Sequence, residues 1–202
     1  MLKLLIASNN PHKIGEYQEI LADLPLTLTY PAVEGLELDP AETGATFEEN
    51  AIIKALAFAR ASRLPTLADD SGLEVDALGG EPGVVSARYG NTARDNHTGR
   101  YRLLLEKLAA KQVPWAERTA RFRCVVALAV QDKLIGTAQG TVEGFIAYEP
   151  KGSGGFGYDP VFFVPEFNRT LAEVTSDQKH RISHRGQAAR AAAPLIRQVL
   201  NL

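Results

Sequence analysis

The chain is 202 residues long, 45% hydrophobic and 23% charged, an ordinary globular composition with enough apolar residues to bury a substantial core as one domain or two small lobes. Lys and Arg number 22 against 24 Asp and Glu, which argues against a long nucleic-acid footprint or an anionic membrane surface; any anion has to be met by local clusters of charge. No apolar run approaches membrane-spanning length, and the N-terminal LKLLIA is too short for a secretory core, so the expected compartment is the cytoplasm.

Residues 2–7, LKLLIA, read as a buried strand, bounded by SNNP and followed by HKIGEYQEILADL, which has helical spacing at Ile14, Tyr17 and Leu21. Ser8, Asn9 and Asn10 occupy this strand-to-helix turn and Lys13 falls in the first helical turn. Unpaired N–H groups and the positive end of a helix favour phosphate there, and the lysine adds a point charge, although Ser8 or Asn10 also suits plain capping. The glycines and GK[ST] ending of a Walker A loop are absent.

A second strand is expected over 26–30, then a Pro-, Gly- and acid-rich loop over 31–45. TFEENAIIKALAFARAS carries the strongest helical pattern of the chain, with Phe47, Ala51, Ala55 and Ala59 four apart and a capping box at Thr46 and Glu49. Glu49 therefore has two readings, a cap or a carboxylate that shares a cation with the acids of the next segment. Asn50 and Lys54, one turn apart, share a helix face.

That next segment, TLADDSG at 66–72, delivers two adjacent carboxylates at the expected end of a strand, where α/β proteins carry ligand sites. Alternation puts Asp70 on one face and Asp69 on the other, so only one acid need face a cleft. The same residue types also make turns. LEVDAL reads as a separate strand, GGEPG as a turn, and the residues from SARYG to 98 as loop, before an amphipathic helix RYRLLLEKLAAK that ends ahead of Pro114.

Residues 118–131, opening RTARFRCVVALAV, form a long strand with Arg121 and Arg123 on one face. Its Cys124, the single cysteine, cannot make an internal disulfide and is expected to behave as a small hydrophobe. LIGTAQGTVEGFIA extends the sheet, with Gly136, Gly140 and Gly144 marking expected bulges or turns. KGSGGFGYDP is a glycine-rich loop whose Phe156, Tyr158 and Asp159 suit a flat ligand, one ring to stack and a carboxylate or backbone edge to read it. In the tail, Thr175 or Ser176 caps a short turn, Ser183 caps a final helix kinked at Pro194, and Lys179, His184 and Arg185 gather close to helix starts, where cations call for an anion or an electron-rich ring.

SNNPHK (8–13), TFEENAIIKA (46–55), ADDSGLEVDALGGEPG (68–83) with SARY (86–89), GFGYDPVF (155–162) and SHRGQA (183–188) occur in this order. In these motifs the chain resembles the inosine triphosphate pyrophosphatase family, the non-canonical purine nucleoside triphosphate pyrophosphatases, over nearly its whole length. The resemblance implies one α/β domain over 1–202: an elongated mixed β-sheet flanked by helices, in two lobes with a central active-site cleft. It also implies a Mg2+ requirement, a homodimer, and cleavage of ITP, dITP or XTP between the α and β phosphates. Family roles carry to Asp70 as general base and metal ligand and to Glu49 as second metal ligand. Ser8, Asn9, Asn10, Lys13, Lys54, Ser71 and Lys179 carry over as phosphate or sugar contacts, and Phe156, Gly157, Tyr158 and Asp159 with His184 and Arg185 as the base pocket. A 6-oxo purine would accept from donors such as His184 or Arg185, where adenine offers its own amine. The rivals are a pyrimidine-preferring septum-formation-type pyrophosphatase and a nucleotide-binding module without turnover. Carboxylates beside a polyanion argue against the second unless a cation is present.

Overall fold

In a computed structural model, which describes residues 2–93 and 95–202, seven strands form one mixed sheet in the order β2-β1-β3-β4-β5-β6-β7. The strands are β1 Lys3–Ile6, β2 Thr27–Thr29, β3 Thr66–Val75, β4 Thr119–Val130, β5 Lys133–Ile146, β6 Phe162–Val164 and β7 Arg169–Thr170. The longer helices are α1 Pro11–Ile20, α2 Phe47–Ser62, α3 His97–Ala110, α4 Ser176–Ile182 and α5 His184–Leu200. β1 pairs in parallel with β2 and β3, whereas β6 pairs antiparallel with β5 and β7. Among the described residues no helix is long and apolar enough to cross a membrane.

The chain divides into two compact units. The first comprises Met1–Asp70, Cys124–Gly140 and His184–Leu202. Its core joins Leu4 and Ile6 of β1, Leu67 of β3 and Cys124, Val126 and Leu128 of β4 to Tyr17 of α1 and Ala188, Ala192 and Ile196 of α5. Asn10 caps α1 by accepting from the His12 N–H at 3.0 Å, with Pro11 in the first helical position, where its missing N–H costs nothing. The capping box of α2 forms as the spacing predicts: Thr46 Oγ accepts from the Glu49 N–H at 3.1 Å, and Glu49 Oε2 from the Thr46 N–H at 3.0 Å. α2 buries Phe47, Asn50, Ala51, Ala55, Phe58 and Ala59.

The second unit comprises Ser71–Arg123 and Thr141–Ser183. Leu104 and Leu108 of α3 pack in its core with Leu73 and Val75 of β3, Phe122 of β4, Ile146 of β5 and Phe162 of β6. Asn96 caps α3, accepting from the Gly99 N–H at 2.9 Å, and the helix starts earlier than its apolar pattern. Thr175 caps α4.

DSG is not a turn and LEVDAL is not a separate strand: β3 runs unbroken through Asp69, Asp70, Ser71 and Gly72 to Val75, with Asp76–Leu78 a short 3-10 turn, so the acids lie within a strand and not at its end. Ionic partners and burial hold them there, and tertiary context overrides the turn preference of the residue types. β5 is likewise continuous through its three glycines, and Gly140 and Gly144 answer to close packing instead of bulges. A Cβ on Gly140 would lie 2.2 Å from the His184 carbonyl oxygen and 2.6 Å from the Ala188 nitrogen, and one on Gly144 would lie 2.4 Å from the Phe163 carbonyl oxygen.

Candidate active site

Alternation along β3 separates the two acids as expected. Asp69, 3% exposed, faces α1 and α5, where its Oδ2 meets Lys13 Nζ at 2.9 Å and the Arg185 guanidinium at 3.1 Å. Arg185 is 2% exposed and also pairs with Glu16. Burial alone would raise the Asp69 carboxyl, but the charges of Lys13, Arg185 and Lys54 outweigh it and hold it well below the usual carboxylate range. Burial and then the Asp69 charge push the neighbouring Cys124 thiol up to about 12, so it is an inert core residue.

Asp70, 7% exposed, is set against α2 with weaker partners: Asn50 Nδ2 donates to Oδ2 at 3.2 Å, and Lys54 Nζ lies 3.5 Å from Oδ1. Asn50 and Lys54 thus share a face as their spacing requires, and that face meets Asp70. Lys54 is closer to Glu42, at 2.8 Å. Burial, reinforced by the charges of Glu42 and Asp69, raises the Asp70 carboxyl despite Lys54 and Lys13. Two adjacent carboxyls are thus pushed in opposite directions by their surroundings.

Glu42 and Asn50 are the members of this cluster to which the sequence reading gave no role at an acid. Glu42 sits in an irregular loop with no periodicity to orient it. Asn50 is fixed at both ends of its amide: Oδ1 accepts from the Gly44 N–H at 2.8 Å while Nδ2 holds Asp70. A Cβ on Gly44 would come within 2.6 Å of the Glu49 Cβ, so that approach needs glycine.

In the α1 turn Ser8 Oγ accepts from the Asn10 N–H at 3.2 Å, and Asn9 Nδ2 donates to the Leu38 carbonyl at 3.2 Å. Lys13, in the first turn of α1, is joined to Asp69. His184, at the start of α5, is buried. Ser71, half-buried, opens the second unit.

In the second unit the glycine-rich loop is held by side-chain contacts of its own. Asp159 Oδ2 accepts from the Phe156 N–H at 2.7 Å and pairs with buried Lys179 at 2.7 Å. Lys179 Nζ in turn lies 4.9 Å from the Phe156 ring centroid, a cation–π contact. Tyr158 Oη donates to the Ser86 carbonyl at 3.0 Å, which gives the SARY motif its place. Gly155 has φ +66°, and a Cβ there would lie 2.1 Å from Asp159 Oδ2, so only glycine serves. Gly157 (φ +68°) adopts the same left-handed backbone between the two rings.

A magnesium ion suits the first unit's donor set. It takes oxygen ligands, keeps several waters and binds through one or two carboxylates plus phosphates. Among the described residues no group of three or more His, Cys, Asp or Glu is arranged around a common metal position. Asp70 is a buried carboxylate, and Glu42 shares Lys54 with it. Glu49 commits Oε2 to the Ala45 and Thr46 N–H groups, at 2.7 and 3.0 Å, and lines a groove of about 490 Å³ with Thr43, Gly44, Ala45, Ile52 and Ile53.

Residues 4–195 match the family model described as Ham1 family. The chain belongs to the Ham1 family. A relative from Halalkalibacterium halodurans, named dITP/XTP pyrophosphatase, is 45% identical over 192 residues, covering 93% of this chain and 95% of its own. One of the same name from Thermus thermophilus is 50% identical over 190 residues, covering 94% and 89%. The structure of a HAM1 protein from Coxiella burnetii matches with a TM-score of 0.86 at 42% identity, over 98% of this chain and 100% of that one.

Proposed function

We propose that this Ham1 protein is a Mg2+-dependent dITP/XTP pyrophosphatase that also accepts ITP, converting each to the monophosphate and pyrophosphate. The observation that carries the reading is the opposed environment of the two acids. Asp69 is locked in ion pairs, whereas Asp70 keeps a raised carboxyl and loose partners, as a general base requires. Near-full-length identity to relatives named for that activity supports the same substrate class.

In this mechanism the Asp70 carboxylate takes a proton from the attacking water as its oxygen bonds to the α phosphorus. The bond from that phosphorus to the αβ-bridging oxygen breaks, and pyrophosphate leaves with the electron pair. Lys13 and Lys54 neutralise charge developing on phosphate oxygens, with Ser8, Asn9, Asn10, Ser71 and Lys179 as further phosphate or sugar contacts. Asp70 and Glu49 would hold the magnesium ion, with Glu42 as an additional carboxylate beside Lys54. When bound, the ion supplies further neutralisation of the triphosphate. Phe156, Gly157, Tyr158 and Asp159 receive the purine, and His184 and Arg185 are donors to its 6-oxo group; Arg185 would have to release Asp69 or Glu16 to do so.

The whole chain works as one catalytic domain, in the cytoplasm and as a homodimer, which sedimentation at micromolar concentration tests. The activity is tested by pyrophosphate and phosphate release from dITP, XTP, ITP, dTTP, UTP and dATP with magnesium. Preference for the 6-oxo purines with pyrophosphate as product is expected. Preference for dTTP or UTP, or orthophosphate as product, would contradict the reading, and binding of ITP without release would make the protein a sensor.

A further inference from the structure

His97 opens α3, and it bears on the aromatic platform from within the second unit. Its ring meets the Phe156 ring edge-on, with centroids 6.3 Å apart and planes inclined by 62°. His97 is itself held from behind. Arg100, one turn along α3 and 3% exposed, donates through one terminal nitrogen to the Ala87 and Ala93 carbonyls, each at 2.9 Å. Its other terminal nitrogen lies 2.5 Å from His97 Nδ1. A guanidinium can only donate, so Nδ1 accepts and the neutral imidazole carries its proton on Nε2.

The Lys179 ammonium lies over the face of the Phe156 ring and the His97 imidazole meets it at an angle, while the Phe156 backbone N–H is tied to Asp159. We propose that His97 is a positioning residue for base recognition, holding the Phe156 ring in the orientation in which it stacks on a purine. The proposal rests on the reading of the loop as the base platform and adds a residue outside that loop. Stacking on a ring already ordered avoids the loss of rotamer freedom on binding, so the contact acts on affinity and not on the chemical step.

The test is a double-mutant cycle on steady-state dITP hydrolysis. His97→Ala is expected to raise KM about three- to tenfold, the range of an aromatic pair, with kcat within about twofold. His97→Phe, which keeps an aromatic edge and loses the Arg100 acceptor, is expected to stay within about twofold of the parent KM. In a Phe156→Ala background His97→Ala should add less than about twofold. An unchanged KM in His97→Ala, an equal loss in both backgrounds, or a His97→Phe variant as impaired as His97→Ala would overturn the proposal while wild-type turnover stands. A wild-type protein that releases no pyrophosphate from any purine nucleotide would instead overturn the functional reading, and this proposal with it.

Discussion

Asp69 and Asp70 are neighbours in sequence with opposite electrostatics, and each makes its own prediction. The Asp69 carboxyl titrates well below its unfolded value of about 3.9, because Lys13 and Arg185 outweigh its burial. Its stabilisation is therefore complete above about pH 5 and is lost progressively as pH falls through the unfolded value toward the native one. Asp69→Asn leaves Arg185 and Lys13 facing a neutral amide, and we expect about 3–5 kcal/mol lower stability at pH 7 by urea unfolding. The variant should also lose part of the parent's acid sensitivity below about pH 4; a pH–stability curve parallel to the parent's would contradict this assignment. The metal ligands separate by magnesium titration of turnover. Asp70 should share the ion with Glu49, Glu42 or both, so Glu42→Gln and Glu49→Gln are compared at matched substrate. A raised magnesium requirement marks a ligand. In Glu49→Gln, lower thermal stability with the parent's magnesium curve would leave that residue as a helix cap alone.

At the scale of elements, β5 and α5 are joined through glycine. Gly140→Ala places a methyl against two backbone atoms that cannot rotate away, the His184 carbonyl oxygen and the Ala188 nitrogen, so α5 has to shift. A loss of about 1–3 kcal/mol in chemical unfolding is expected, as for overpacking. Gly136→Ala is the control: its nearest neighbour is the Leu195 side chain at 3.1 Å, which can change rotamer, and the cost should stay below about 1 kcal/mol. Equal stability of the two variants would show that α5 is not seated on Gly140. The same pair explains a limit of sequence reading. A glycine between apolar residues of a strand fits a bulge, a turn or a close approach equally well, and only the opposing backbone decides.

Across the whole molecule, local signals were legible where local chemistry determines the outcome. The Thr46–Glu49 capping box, the Asn50–Lys54 face and the alternation of Asp69 and Asp70 all follow from helix and strand geometry, and each appears as expected. Long-range pairing was not legible. Arg185 reaches Asp69 from 116 residues away, and Glu42 reaches Lys54 from a loop without periodicity. DSG misleads because its turn preference is local, whereas β1 pairs with the start of β3 and both units contribute to that strand. Ham1 membership accounts for the motifs as a set, and the ion pairs distinguish the acids within one of them.

Single-turnover pyrophosphate release from dITP by the parent and Asp70→Asn at saturating magnesium tests Asp70 as the base of a purine triphosphate pyrophosphatase. A loss of at least about a hundredfold is expected in the variant, with its circular dichroism and thermal midpoint preserved. Release within a few-fold of the parent would remove Asp70 from that role.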